Sequence, residues 1–178
     1  QCATHATVPT VVVPGDVEPI ATQRILVGFD GSPNSQAAAR WAVRFASPGS
    51  TVVVAWVWDA TPLAVGSDAF FFPDASDLAA ERFNHLVEPL EFEATAAHVT
   101  LEREFIRGTP RAALSGQADD VDLVVVGARG HGAVGSALLG SVSTWILHHV
   151  HRPIVVVPFF DPSPTAAAGA PSPDIFYG

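Results

Sequence analysis

The sequence predicts an α/β domain built on a doubly wound, five-stranded parallel sheet with helices on both faces. Three observations carry this. Apolar, β-branched runs alternate along the chain with segments of helical spacing. Several runs are apolar at consecutive positions, as in Leu123-Val124-Val125-Val126 and Ile154-Val155-Val156-Val157, the pattern of strands covered on both sides. A long glycine-rich connection follows the fourth run, where such sheets place ligands beyond the carboxyl ends of their strands.

The strands fall at Ile25 to Phe29, Thr51 to Trp58, Val99 to Ile106, Asp122 to Gly127 and Pro153 to Val157. Between the first two, Ser32 caps a helix with Pro33 at its first position, and Ala38, Trp41, Ala42 and Phe45 form one apolar face. A second helix, about Asp77 to Ala97, repeats the spacing with Phe83, Leu86, Val87 and Leu90. Pro89 removes an internal hydrogen bond there and is expected to bend or break it. Thr109-Pro110 opens a short third helix. Ser141 opens a fourth, lined by Val142, Trp145, Ile146 and Val150. The order is β-α-β-α-β-α-β-α-β.

The chain of 178 residues is 48% hydrophobic and 15% charged, enough apolar material for one domain. Residues 1–23 and 161–178 are rich in proline with threonine, alanine or serine and read as poorly ordered tails, leaving 24–160 as the folded part. No apolar run approaches the roughly 20 residues of a membrane-spanning helix, and the first 23 residues lack the pattern of a secretory signal. A cytoplasmic location is expected. Cys2 is the single cysteine, which excludes an internal disulfide. A formal net charge of −9 argues against nucleic acid or anionic membrane as partner. It does not exclude a small anion held by local donors, because surface charge is screened over about 8 Å.

Two loops carry the chemistry. Gly28-Phe29-Asp30-Gly31-Ser32 places a carboxylate in the first strand-to-helix turn, either to accept hydrogen bonds from a ligand or as a solvated turn residue. The stretch from Gly127 to Ser141 is richer. Its glycines allow close backbone approach, its N–H groups suit an anion, and the helix at Ser141 contributes the positive end of a dipole. Ser141 and Ser143 add hydroxyls. Arg129 either supplies the local cation for a polyphosphate or faces solvent.

Gly127, Gly130, Gly140 and Ser141 match at every spacing the G-x2-G-x9-G-[S/T] signature of the ATP-binding branch of the universal stress protein family, which the chain closely resembles. The resemblance extends through Val27 to Ser32, Val57-Trp58-Asp59, Arg107 to Pro110, Asp122 to Gly127 and Arg152 to Pro158. It implies the strand order 3-2-1-4-5, a nucleotide at the ends of strands 1 and 4, and a homodimer through the last strand, Ile154 to Val157. Position by position, it sets Gly28 and Asp30 beside the adenosine and the backbone of Val57 against adenine. Gly127, Arg129 and Gly130 flank the ribose and first phosphates. Gly140, Ser141, Val142 and Ser143 hold the phosphate chain, with Mg2+ bridging phosphate oxygens. An apolar edge at Ile154 to Val157 needs covering, and pairing with a second copy is the simplest answer. The 60–76 connection, with Phe70-Phe71-Phe72, departs from a minimal member and reads as a lid or packing element.

Other motifs fit less well. Gly130 to Gly135 spells G-x-G-x-x-G, but Gly127-Ala128-Arg129 come between it and the apolar run of the strand and the helix begins only near Ser141, which disfavours a dinucleotide site. His148, His149 and His151 lack an acidic or thiol partner for zinc and suit a helix C-terminus. The P-loop and nucleophile-elbow patterns are absent. The expected function is an ATP-binding regulatory sensor in the stress response, acting through partner proteins, with no catalytic residue assigned. The alternatives are a nucleotide-independent dimeric scaffold and a slow ATP hydrolase assisted by Asp30 or His131.

Overall fold

A computed structural model describes residues 8–15, 22–59, 75–130 and 139–158. The elements run β1 (Thr10–Val12), β2 (Arg24–Phe29), α1 (Pro33–Phe45), β3 (Thr51–Trp58), α2 (Ala75–Ala96), β4 (Thr100–Arg107), α3 (Pro110–Gln117), β5 (Leu123–Gly127), α4 (Ser141–His149) and β6 (Ile154–Val157). A short 3-10 turn, Ala118–Asp120, follows α3. The strands form one sheet in the order β1-β6-β5-β2-β3-β4. From β6 to β4 every pairing is parallel, and this run is the expected 3-2-1-4-5 arrangement.

Alternation along each strand divides the core in two. Ile25, Val27, Val54, Val125 and Val155 face α1 and α2, where Ala38, Ala42, Phe83 and Val87 cover them. Leu26, Val53, Val124, Ile154 and Val156 face α3 and α4, under Leu114, Ile146 and Val150. Every residue of β5 and β6 is buried, which accounts for their uninterrupted apolar sequence.

Four details differ from expectation. The sheet has a sixth strand: Thr10–Val12, inside the segment 1–23 read as a tail, pairs antiparallel with β6. The edge expected to be free for a second copy is therefore occupied, because β1 satisfies the backbone groups that an edge strand leaves open. Phe45 is 52% exposed and stacks on Trp41 with ring centroids 4.6 Å apart. The buried face of α1 is instead Ser35, Ala38, Ala39, Ala42 and Val43. Pro89 lies inside a helix assigned without interruption from Ala75 to Ala96. Pro89 and His85, whose carbonyl would take the missing bond, are both on the exposed side, so solvent replaces that bond.

Ser32 caps α1 as expected, its Oγ accepting from the N–H of Ser35 at 3.2 Å. At the amino end of the sheet, Arg24 Nη2 donates to Glu102 Oε2 at 2.7 Å. That hydrogen bond raises the Arg24 pKa. The pair joins β2 to β4 across β3, and its partial exposure limits its contribution to stability.

Phe83 sits under Phe29 and Trp56, with centroids 5.8 and 5.7 Å away. Phe83→Ala is expected to cost about 3–5 kcal/mol through the cavity it leaves. Phe92→Ala on the same helix removes a side chain that is 81% exposed and is expected to change stability by less than about 0.5 kcal/mol. Urea denaturation with a constant slope measures both.

Candidate functional site

The winding of the sheet reverses between β2 and β5. β2 leads into α1 on one face, whereas β5 leads towards α4 on the other, which makes their carboxyl ends the switch point. The pairing registers define the mouth. β2 meets β3 as far as Phe29 opposite Trp56, and meets β5 as far as Gly28 opposite Val126. Val57 and Gly127 each stand one residue past those last pairs, on either side of Asp30.

Asp30 is held by the turn that follows it. Its Oδ1 accepts from the Ser32 N–H at 2.9 Å, and its own N–H donates to Ser35 Oγ at 3.4 Å. Gly31 makes the turn with φ +78°, and a Cβ there would meet Leu86 and Trp56 at 3.0 and 3.3 Å. The turn also reaches the opposite loop: Ser32 Oγ donates to the carbonyl of Arg129 at 3.4 Å.

Gly127 is where the two loops come closest. A Cβ on it would lie 2.8 Å from the carbonyl carbon and the Cβ of Asn34 and 2.9 Å from the nitrogen of Ser35, so only glycine lets the first turn of α1 pass over the end of β5. Gly130 lies against Asp30, and a Cβ at Gly130 would collide with Asp30 Oδ2. Asp30 and Gly130, both selected from the sequence, therefore meet directly, and Gly127 stands against the α1 turn whose Ser35 hydroxyl holds the Asp30 N–H. Gly28 has a packing reason for its missing side chain, since a Cβ there would press on Leu114 at 3.0 Å and Val126 at 3.4 Å.

The second half of the signature returns to the first. The Gly140 N–H donates to the carbonyl of Ala128 at 2.8 Å, and the Ala128 N–H donates to the carbonyl of Val157 at the same distance. Gly140 is the N-cap of α4 and supplies no side-chain cap. The N–H groups of Ser141, Val142 and Ser143 form the first turn, which has no partners within the helix, so an anion arriving there meets N–H donors and the positive dipole end together. Ser141 is exposed, Val142 half-buried and Ser143 buried. The Ser143 hydroxyl, expected to face phosphate, donates to the carbonyl of Gly127 at 2.7 Å and ties α4 to the end of β5. Arg129 is half-buried beside this junction.

The sequence reading missed Asn34 and Ser35, which shape the crevice through the α1 backbone; the Ser-Pro-Asn-Ser run at 32–35 was its signal. His131, the 60–74 part of the 60–76 connection and residues 159–178 lie outside the described residues. Of the histidine cluster, His149 donates from Nδ1 to the carbonyl of Trp145 at 2.9 Å and stacks on the Trp145 ring. Among the described residues no three metal-binding side chains converge, and no helix is long and apolar enough to cross a membrane.

A doubly wound sheet with a carboxylate and a glycine-lined turn at its switch point is the α/β architecture in which ligands bind beyond the carboxyl ends of the strands. The chain belongs to the universal stress protein family, whose model matches residues 21–158. It is similar to the universal stress protein Rv1996 of Mycobacterium tuberculosis, 32% identical over 165 residues, covering 83% of this chain and 51% of that protein. The chain thus spans about half the length of the curated mycobacterial relatives it matches. Among solved structures it resembles UspA from Lactobacillus plantarum, with a TM-score of 0.61 and 25% identity over 78% of this chain and 99% of that one. It also resembles a universal stress protein solved in complex with cAMP, with a TM-score of 0.59 and 25% identity over 79% of this chain and 100% of that one.

Gly127→Ala is expected to destabilise the domain by about 1–3 kcal/mol by forcing α1 away from β5. Gly140→Ala adds a Cβ whose nearest neighbour is 3.5 Å away and is expected to leave the melting temperature within a degree or two. Calorimetry of the two variants side by side separates a glycine needed for packing from one that is not.

Proposed function

We propose that the crevice between β2 and β5 binds an adenine nucleotide, ATP with Mg2+ in the resting protein, and that occupancy is read by partner proteins as part of a stress response. The observation that carries this reading is the meeting of Asp30 with the Gly127–Gly130 turn, directly beside the uncapped first turn of α4. A carboxylate accepts from ribose hydroxyls or the adenine amine, and the helix N-terminus accepts phosphate. The neighbour solved with cAMP supports an adenine-type ligand.

In this reading Gly28 and Asp30 border the adenosine, and the Val57 backbone faces adenine. Gly127, Arg129 and Gly130 border the ribose and first phosphates. The N–H groups of Gly140, Ser141, Val142 and Ser143 hold the phosphate chain, while the Ser143 hydroxyl keeps its bond to Gly127 and acts by fixing that turn. Magnesium bridges phosphate oxygens. Binding to the folded state alone stabilises it by about 2.7 kcal/mol at a ligand concentration one hundred times the dissociation constant. The expected homodimer through Ile154–Val157 requires Thr10–Val12 to leave that edge, so the nucleotide-responsive unit is the single domain.

Mg-ATP is expected to raise the melting temperature in a saturable titration. Gly140→Asp is expected to fold normally, because its Cβ meets only ordinary contacts, and to weaken ATP at least tenfold by setting a carboxylate against the phosphates. Asp30→Asn keeps an Oδ1 acceptor for the Ser32 N–H and is expected to lower affinity without loss of fold. An unliganded melting temperature that ignores ATP, AMP and cAMP alike would remove the nucleotide reading and leave a scaffold.

A further inference from the structure

The two edges of the sheet are finished differently. On one side β1 is three residues long and is bracketed by Pro9 and Pro14, both devices that stop a foreign strand from adding. On the other side β4 runs for eight residues, Thr100–Arg107, pairs with β3 at every position without a bulge, and contains neither proline nor lysine. It is the last strand of the sheet, and among the described residues no backbone hydrogen bond reaches its outer row. Charged side chains usually guard such an edge, and β4 has them, but they are turned inward over the two faces of the sheet. On the α3 face, Glu102 accepts from Arg24 of β2, two strands away, at 2.7 Å, and Glu104 accepts from Gln117 of α3. On the α2 face, Arg103 pairs with Glu91 at 2.5 Å and donates to Asn84 Oδ1 at 3.2 Å. The groups that would screen the outer backbone of β4 are drawn away from it.

The two faces ask for different side chains in an added strand. Leu101 and Phe105 are half-buried at the rim of the core under α1 and α2, so an apolar side chain set beside either extends that core. The α3 face is acidic. Arg24 stands in the field of Glu102, Glu104 and Asp120 together, and Glu104 has an uncharged amide for its partner, which leaves negative charge in surplus. A second copy of β4 does not meet this demand. Residues opposite one another in a two-fold antiparallel pair lie on the same side of the sheet. Pairing about Glu102, Arg103 or Glu104 therefore sets glutamate against glutamate, and pairing about Phe105 sets Arg103 against Arg107. Like charges directly opposite are destabilising.

We infer that the outer edge of β4 is a docking site for an extended peptide of another protein, which adds to the sheet as a further strand and alternates basic residues over Glu102 and Glu104 with apolar residues beside Leu101 and Phe105. Main-chain hydrogen bonds to the open row of β4 hold the peptide, and the two side-chain rows select it. β3 separates this edge from the crevice beside β2, and the inference does not rest on the nucleotide reading.

The test titrates the full chain with an acetylated, amidated peptide of four Lys-Val repeats, read by calorimetry and by amide hydrogen exchange. Exchange is expected to slow at alternate residues of Thr100–Arg107 at millimolar peptide, with β6 unchanged as the internal reference. The Glu-Val counterpart is expected not to bind. Glu104→Gln, which keeps an acceptor for Gln117, is expected to weaken the Lys-Val peptide by about two- to fivefold, the range of one cross-strand charge pair. The Lys-Val peptide N-methylated at every residue keeps its charge but loses its backbone donors, and it is expected to lose measurable affinity. Binding of the N-methylated peptide as tight as that of its parent would reduce the edge to a patch of negative charge and overturn the inference. Equal binding of the Glu-Val peptide, an affinity unchanged in Glu104→Gln, or exchange in β4 that the Lys-Val peptide leaves untouched would overturn it as well.

Discussion

The backbone of Gly127 and the first turn of α1 approach so closely that no side chain fits between them, and the geometry of the crevice depends on that approach. It sets the height of α1 over the sheet and so the position of the Ser32 cap, whose hydroxyl reaches the carbonyl of Arg129. Through the Asp30-Gly31-Ser32 turn it fixes where the carboxylate stands relative to Gly130. On the other side of the sheet, the Gly127 carbonyl receives the buried hydroxyl of Ser143 and anchors α4. One glycine thus couples both helical layers to the switch point, and a buried hydroxyl satisfied in this way adds roughly 1 kcal/mol.

Much of this was legible because its causes are local. Ser32 followed by Pro33 specifies a helix start, and the consecutive valines of β5 and β6 specify strands buried on both faces; both are found. The glycine spacing also marked the segment that meets Asp30. What escaped the sequence depends on distant partners. The helical period placed Phe45 on the buried face, but the small side chains Ala38, Ala39 and Ala42 let α1 settle with that face rotated. The Ser143 hydroxyl looked available for ligand, yet its partner is a carbonyl sixteen residues earlier. β1 escaped because a threonine and three valines between prolines resemble a tail when considered alone; the signal was the near-recurrence of that run at the end of the domain.

The acidity of the chain and an anionic ligand are compatible at this place for a reason of scale. The net charge of −9 is spread over the whole chain, while the first turn of α4 presents aligned N–H groups at hydrogen-bond range, where distance and screening favour the near donors. Backbone donors carry no side-chain identity. A site built on such donors can change its surface residues without rebuilding the helix terminus that attracts the anion.

The bond from the Gly140 N–H to the Ala128 carbonyl brings the two ends of the glycine-rich connection within one hydrogen bond of each other. A segment whose ends are clasped in this way can gain or lose residues without shifting the elements it joins, because neither β5 nor α4 registers the change. The placement of α4 against β5 is thus held by that clasp and by the Ser143 bond to Gly127, and the ends of the connection stay fixed whatever its length.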